Sequence, residues 1–213
     1  MKGINTFTLK MIAVAAMLID HVGAVLLPQF EILRIIGRLA FPIYAYTLVQ
    51  GFQYTRNLKK YLLRLGALAL ISEIPFDLAF FRTIFEPGHQ NVFFTLFLGI
   101  LMLALMTGTS SKVKQMLCVL GIMVLSELLC TDYSSMGILM IFWFYQNRNQ
   151  NVMQYIGITV INVFLMGGTQ MYAALALIPI YFHNRKEGPK SKLFFYGFYP
   201  IHLIGLYLIS LLR

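Results

Sequence analysis

Long apolar runs separated by short polar, mostly basic stretches fill the chain from end to end. Each run approaches the ~20 residues that an α-helix needs to cross the hydrocarbon core of a bilayer. The pattern predicts nine helices, over about 7–27, 31–53, 61–80, 91–107, 114–130, 135–146, 151–167, 170–183 and 193–212, with eight or ten also compatible. The sixth and eighth are short enough to be tilted, broken or interfacial. Lys2 and Lys10 precede the first run as in a signal peptide, but the run continues to Leu27 without a small-residue cleavage site, so it reads as a retained helix. The expectation is an all-α, polytopic transmembrane bundle forming a single domain over residues 1–213.

Composition agrees. Of 213 residues, 59% are hydrophobic and 12% charged, where soluble domains carry about 25% charged residues. Mean hydropathy is +0.73. The net charge of +9 does not point to nucleic acid, because the basic residues sit in short loops between apolar runs. With the N-terminus cytoplasmic, all Lys and Arg except Arg34, Arg38, Arg82 and Arg213 fall on the inner side, as the positive-inside rule requires. Cys118 and Cys130 fall on one helix about 18 Å apart, too far for a disulfide.

Against this apolar background, ionisable residues inside the helices are conspicuous, since a charge in lipid is costly without a partner or a task. Asp20 and His21 lie on the first helix, about 10 Å below its outer end. Arg34 and Arg38 share a face of the second at i,i+4 spacing, which puts Arg38 near the depth of Asp20 and His21. Adjacent helix residues diverge by about 100°, so Asp20 can serve Arg38 rather than His21. The bland alternative is a polar pair that locks the two helices. Arg34 is close enough to the interface to snorkel, whereas Arg38 fits a site role in holding an anion or oxyanion.

Glu73 and Asp77, also at i,i+4 with Pro75 between them, could pair with the arginines or act as an acid/base group. Asn91 and Asp132 are further supporting candidates near the same outer layer, and Tyr199 and His202, inside the ninth helix, are others, although a lone histidine on an apolar helix is more often core. His89 and His183 lie in loops and are weak candidates, and Glu127 reads as structural. The basic stretch from Arg56 to Arg64 is foremost a topology signal and secondarily a phosphate attractor. Neither HExxH nor CxxC is present, which argues against a metal, and the absence of phosphate-binding glycine loops argues against ATP hydrolysis. Read physically, the polar layer suits an enzyme site or the relay of a proton- or ion-coupled transporter or flippase about equally. A non-catalytic scaffold is a third class.

The stretches KMIAVAAMLIDHVG, GRLAFPIYAYTLVQGFQYTRN, KKYLLRLGALALISEIPFDL, QNVFFTLFLGIL, DYSSMGILMI and KLFFYGFYPIHLIGLYLI, in that order, resemble the TraX family, bacterial membrane proteins named for the acetylase of conjugative F-type pilin. The resemblance implies an acyltransferase of the bacterial inner membrane that uses acetyl-CoA as donor. It also suggests kinship with transmembrane acyltransferases that use a membrane histidine and arginine, matched here by His21 and Arg38. On that basis His21 is the expected base, Asp20 orients or charges the network, and Arg38 holds the oxyanion or, with Arg34 and Arg56, the donor's phosphates. The acceptor would be an amine or hydroxyl at the extracytoplasmic face: a pilin N-terminus, a glycan or a small molecule.

Overall fold

The computed structural model describes residues 3–189 and 191–212, and every regular element among them is helical. The helices are α1 (Thr6–Val25), α2 (Glu31–Gly37), α3 (Ala40–Tyr54), α4 (Leu58–Phe81), α5 (Val92–Thr107), α6 (Lys112–Leu128), α7 (Ser134–Gln146), α8 (Asn151–Val160), α9 (Leu177–Tyr181) and α10 (Lys192–Leu211). A π-helical turn, Ile161–Met166, extends α8, and a 3-10 stretch, Gly168–Ala176, leads into α9.

Polar residues at the breaks between apolar runs start the helices. Asn5, Asn57, Asn91 and Ser111 each accept a hydrogen bond from a backbone N–H in the first turn of α1, α4, α5 and α6, worth roughly 1 kcal/mol apiece. Glu127 does a similar job from outside, accepting the Ser135 N–H at 3.0 Å where α7 begins.

Each of the nine predicted stretches is helical among the described residues, with one internal break and one break at the junction of two stretches. The second stretch parts at Arg38–Leu39 into α2 and α3. Pro42 accounts for this, because its ring excludes the i−4 carbonyl, that of Arg38, from a regular helix. The eighth parts from the seventh at Gly167 and Gly168, both at positive φ, and runs as 3-10 before α9. Buried Asn162 closes this region by donating to the Ile158 carbonyl at 2.8 Å and accepting from Gln170 Nε2 at 3.1 Å. Free backbone groups in an apolar interior need such partners.

Three stretches of the described residues, Thr6–Val25, Glu31–Tyr54 and Leu193–Leu211, are long and apolar enough to cross a membrane. Val92–Thr107 and Asn151–Met166 are shorter apolar helices. The main core lies among α3, α5 and α7, where Ile43, Ile100, Met102, Ile138 and Phe144 are fully buried. A second cluster joins Met17, Phe76, Tyr199 and Leu203 of α1, α4 and α10. Apolar side chains also cover the outside, such as Leu117 and Val124 on α6 and Ile201 and Leu208 on α10, a distribution suited to lipid and not to water.

The loops define two ends. At one, residues 182–187 clasp the N-terminal segment through Ile4 N–H to Phe182 O (3.0 Å) and Thr6 N–H to Lys186 O (2.8 Å). At the other, Gln90 N–H donates to Cys130 O at 2.9 Å, tying the α4–α5 loop to the α6–α7 loop.

Candidate functional site

The charged centre begins with a close approach of α1 and α2. Gly37 faces Asp20, and a Cβ there would collide with the Asp20 carboxylate. The missing side chain lets Asp20 reach both arginines. Asp20 Oδ2 accepts from Arg34 Nη1 at 2.5 Å and Asp20 Oδ1 from Arg38 Nη2 at 2.5 Å. Arg38 Nε also donates to the Arg34 carbonyl at 3.2 Å. Each guanidinium carries five N–H groups, so these bonds use a minority of their donors. Asp20 thus serves both arginines and not its neighbour His21. Arg34, for which snorkelling was the favoured reading, is a full partner in the cluster.

His21 bonds elsewhere. Its Nδ1 lies 2.7 Å from His202 Nε2, with the two rings within 4° of parallel. His202 Nδ1 lies 2.8 Å from the Phe198 carbonyl. The carbonyl can only accept, so His202 Nδ1 carries a proton. In a neutral His202, Nε2 is then a lone pair, and His21 Nδ1 must be the donor to it. That leaves the lone pair of a neutral His21 on Nε2, the tautomer a general base requires. Aromatic edges hold the pair: the Phe80 and Tyr199 rings stand edge-on to His21 at 5.3 and 5.8 Å.

Asp20, both arginines and His21 line one cavity of about 190 Å³, whereas His202, bonded to His21, is not in its wall. Its walls bring together Asp20, His21, Arg34, Arg38, Asp132 and Tyr199, and they add His89 and Tyr133. His89 Nε2 lies 3.3 Å from Asp132 Oδ1. This hydrogen bond raises the His89 pKa above the ordinary value, against the effect of burial. Tyr133 stacks on Phe41 with ring centres 3.7 Å apart.

Glu73 and Asp77 pair with neither arginine. Glu73 accepts from the side chain of Asn91 and, at 3.2 Å, from its backbone N–H. Asp77 accepts from the Glu86 N–H at 2.9 Å. Glu73 Oε1 and Asp77 Oδ1 are buried without a hydrogen bond. These residues lie behind the cavity rather than in its wall. Arg56 is exposed in the turn between α3 and α4, apart from the cavity.

His89 is the site residue that sequence reasoning undervalued. Its partner is 43 residues away, brought in by the Gln90–Cys130 backbone bond, and no local pattern announces that. His202 did carry a signal: Tyr199 lies three positions earlier, so two polar groups share one face of α10.

An all-helical, membrane-type bundle with a histidine pair beside a doubly bridged aspartate defines the class. The sequence matches the TraX protein family over residues 6–210, and the chain belongs to that family. It is 30% identical to a Dichelobacter nodosus protein described as "Probable fimbrial assembly protein FimC, serogroup H1", over 93% of both chains. A 38-residue stretch is 53% identical to an uncharacterized protein of Rickettsia prowazekii (strain Madrid E), covering 18% of this chain and 15% of that one. No solved structure matches.

Proposed function

We propose that this TraX-family chain is a membrane-embedded acetyltransferase that moves an acetyl group from acetyl-CoA to an amine or hydroxyl. The observation that carries the reading is the relay from Phe198 O through His202 to His21, ending in a lone-pair nitrogen beside two arginines. His21 Nε2 takes the proton of the attacking amine or hydroxyl as its heteroatom bonds to the thioester carbonyl carbon. Arg38 or Arg34 holds the resulting oxyanion. The C–S bond then breaks, and the proton on His21 passes to the departing thiolate. His202 spreads the transient imidazolium charge over two rings. Asp20 acts through the arginines, fixing where their remaining donors point.

The basic loops gather at the end of the bundle that carries the N-terminus, which supports a cytoplasmic N-terminus in a bacterial inner membrane. The acceptor then arrives from the opposite, extracytoplasmic end. The fimbrial assembly relative supports a pilus subunit as acceptor.

A second reading, a proton-coupled transporter, draws on buried Glu73 and Asp77 and their unpartnered oxygens. Thermal unfolding of purified protein separates the two. Acetyl-CoA bound only by the folded state adds RT ln(1 + [L]/Kd) of stability, so the midpoint rises steadily with acetyl-CoA concentration. Proton flux without any such shift would favour the transporter.

A further inference from the structure

The histidine cavity does not stand alone. It shares Met17, Tyr44, Val92 and Tyr199 with a narrower cavity of about 110 Å³. That neck in turn shares Lys10, Thr47, Tyr61, Phe195 and Tyr196 with a wider one of about 360 Å³. The three form a series along α1, from Lys10 at one end to His21 at the other, about 16 Å at 1.5 Å per residue.

The ends differ in chemistry. Lys10, Arg64 and Arg185 reach the wide vestibule, against one carboxylate, Glu187. Arg64 is half-buried beside Tyr61, and its Nε is enclosed without a hydrogen-bond partner. A buried guanidinium N–H with no acceptor is costly, so Arg64 keeps unmet hydrogen-bonding capacity beside the vestibule. The neck is mostly aromatic and aliphatic, with Tyr44, Tyr61, Phe93 and Tyr199 among its walls. It suits a slender, uncharged chain better than a bulky charged head.

We infer that the vestibule of Lys10, Arg64 and Arg185 docks the phosphorylated head of the acyl donor, while its thin thioester arm threads the aromatic neck to the histidine pair. The inference rests on the acetyl-transfer reading and moves the donor-binding assignment. Phosphates engage the vestibule, and Arg34 and Arg38 are left to the transferred group. Arg56 is not in the vestibule wall.

The test is equilibrium binding of CoA, which carries no acetyl group to transfer, to full-length protein in phosphatidylcholine nanodiscs. Arg64→Gln and Arg185→Gln are each expected to weaken CoA about tenfold, the scale of one charge-assisted hydrogen bond. Each should also flatten the salt dependence of binding. Arg185 is exposed on its loop, so its variant folds even if Arg64→Gln does not, and unchanged unfolding midpoints confirm this. CoA binding by wild type that both variants keep would overturn this assignment alone. No CoA binding by wild type would overturn the acetyl-transfer reading and the assignment with it. Phosphatidylglycerol retained by wild type but lost by the variants, with CoA binding unchanged, would give the vestibule to lipid headgroups and overturn the proposal.

Discussion

At the scale of single residues, the site works through partners that are not sequence neighbours. Asp20 and His21 are adjacent, yet one turns to α2 and the other to α10, as the 100° step of a helix dictates. The match in depth between Asp20 and Arg38 was legible from helix rise alone. The histidine pair was not, since 181 residues separate its members. His202→Ala removes the acceptor for His21 Nδ1–H and frees the ring to take the other tautomer. Acetyl transfer should fall about 10²-fold or more, toward the level of His21→Ala, while acetyl-CoA binding is kept. Asp132→Asn removes the group that raises the His89 pKa. A base with a raised folded pKa adds stability that is complete below the unfolded value of 6.5 and is lost as pH rises through the folded one. The gap in unfolding midpoint between wild type and Asp132→Asn should therefore be largest near about pH 6 and shrink toward about pH 8. A gap that widens with pH would contradict the pairing.

At the scale of elements, breaks in regular helix place the site. Pro42 separates α2 from α3 just after Arg38, and Gly37 opens the gap that Asp20 fills. Both residues were readable in the sequence as helix punctuation, but a continuous second helix followed from the apolar pattern because hydropathy carries no dihedral information. The Gly167–Gly168 break was expected from the gap between the predicted stretches, though its π-helical and 3-10 flanks were not. Gly37→Ala should push a methyl into the Asp20 carboxylate, destabilise by about 1–3 kcal/mol as overpacking does and disrupt both arginine bridges. Gly121, on the exposed face of α6 with nothing near its would-be Cβ, supplies the control. Gly121→Ala should leave the midpoint unchanged or raise it, since Ala exceeds Gly in helix propensity by about 1 kcal/mol. Equal losses at both positions would show that the effect at Gly37 is not one of close approach.

At the scale of the whole molecule, the chain is an apolar bundle with a polar layer toward one end and a basic vestibule toward the other. The two-ended arrangement was legible in the loop charges and in the clustering of Asp20, His21, Arg34 and Arg38. The series of cavities between the ends was not, because its walls are mostly ordinary aromatic and aliphatic residues from five helices. Glu73 and Asp77 show the same limit: their spacing put them near the arginines, but Asn91 and the Glu86 backbone reach them first. The proposed role of His21 is that of the base in an acetyl transfer. Its most direct test is the rate of labelled acetyl transfer in a single turnover, with purified wild type and His21→Ala, each loaded with acetyl-CoA and offered a peptide with a free N-terminal amine or a hydroxyl acceptor. Transfer by wild type and a loss of about 10²–10⁴-fold in His21→Ala at unchanged donor binding are expected. Transfer by His21→Ala at the wild-type rate would contradict that role.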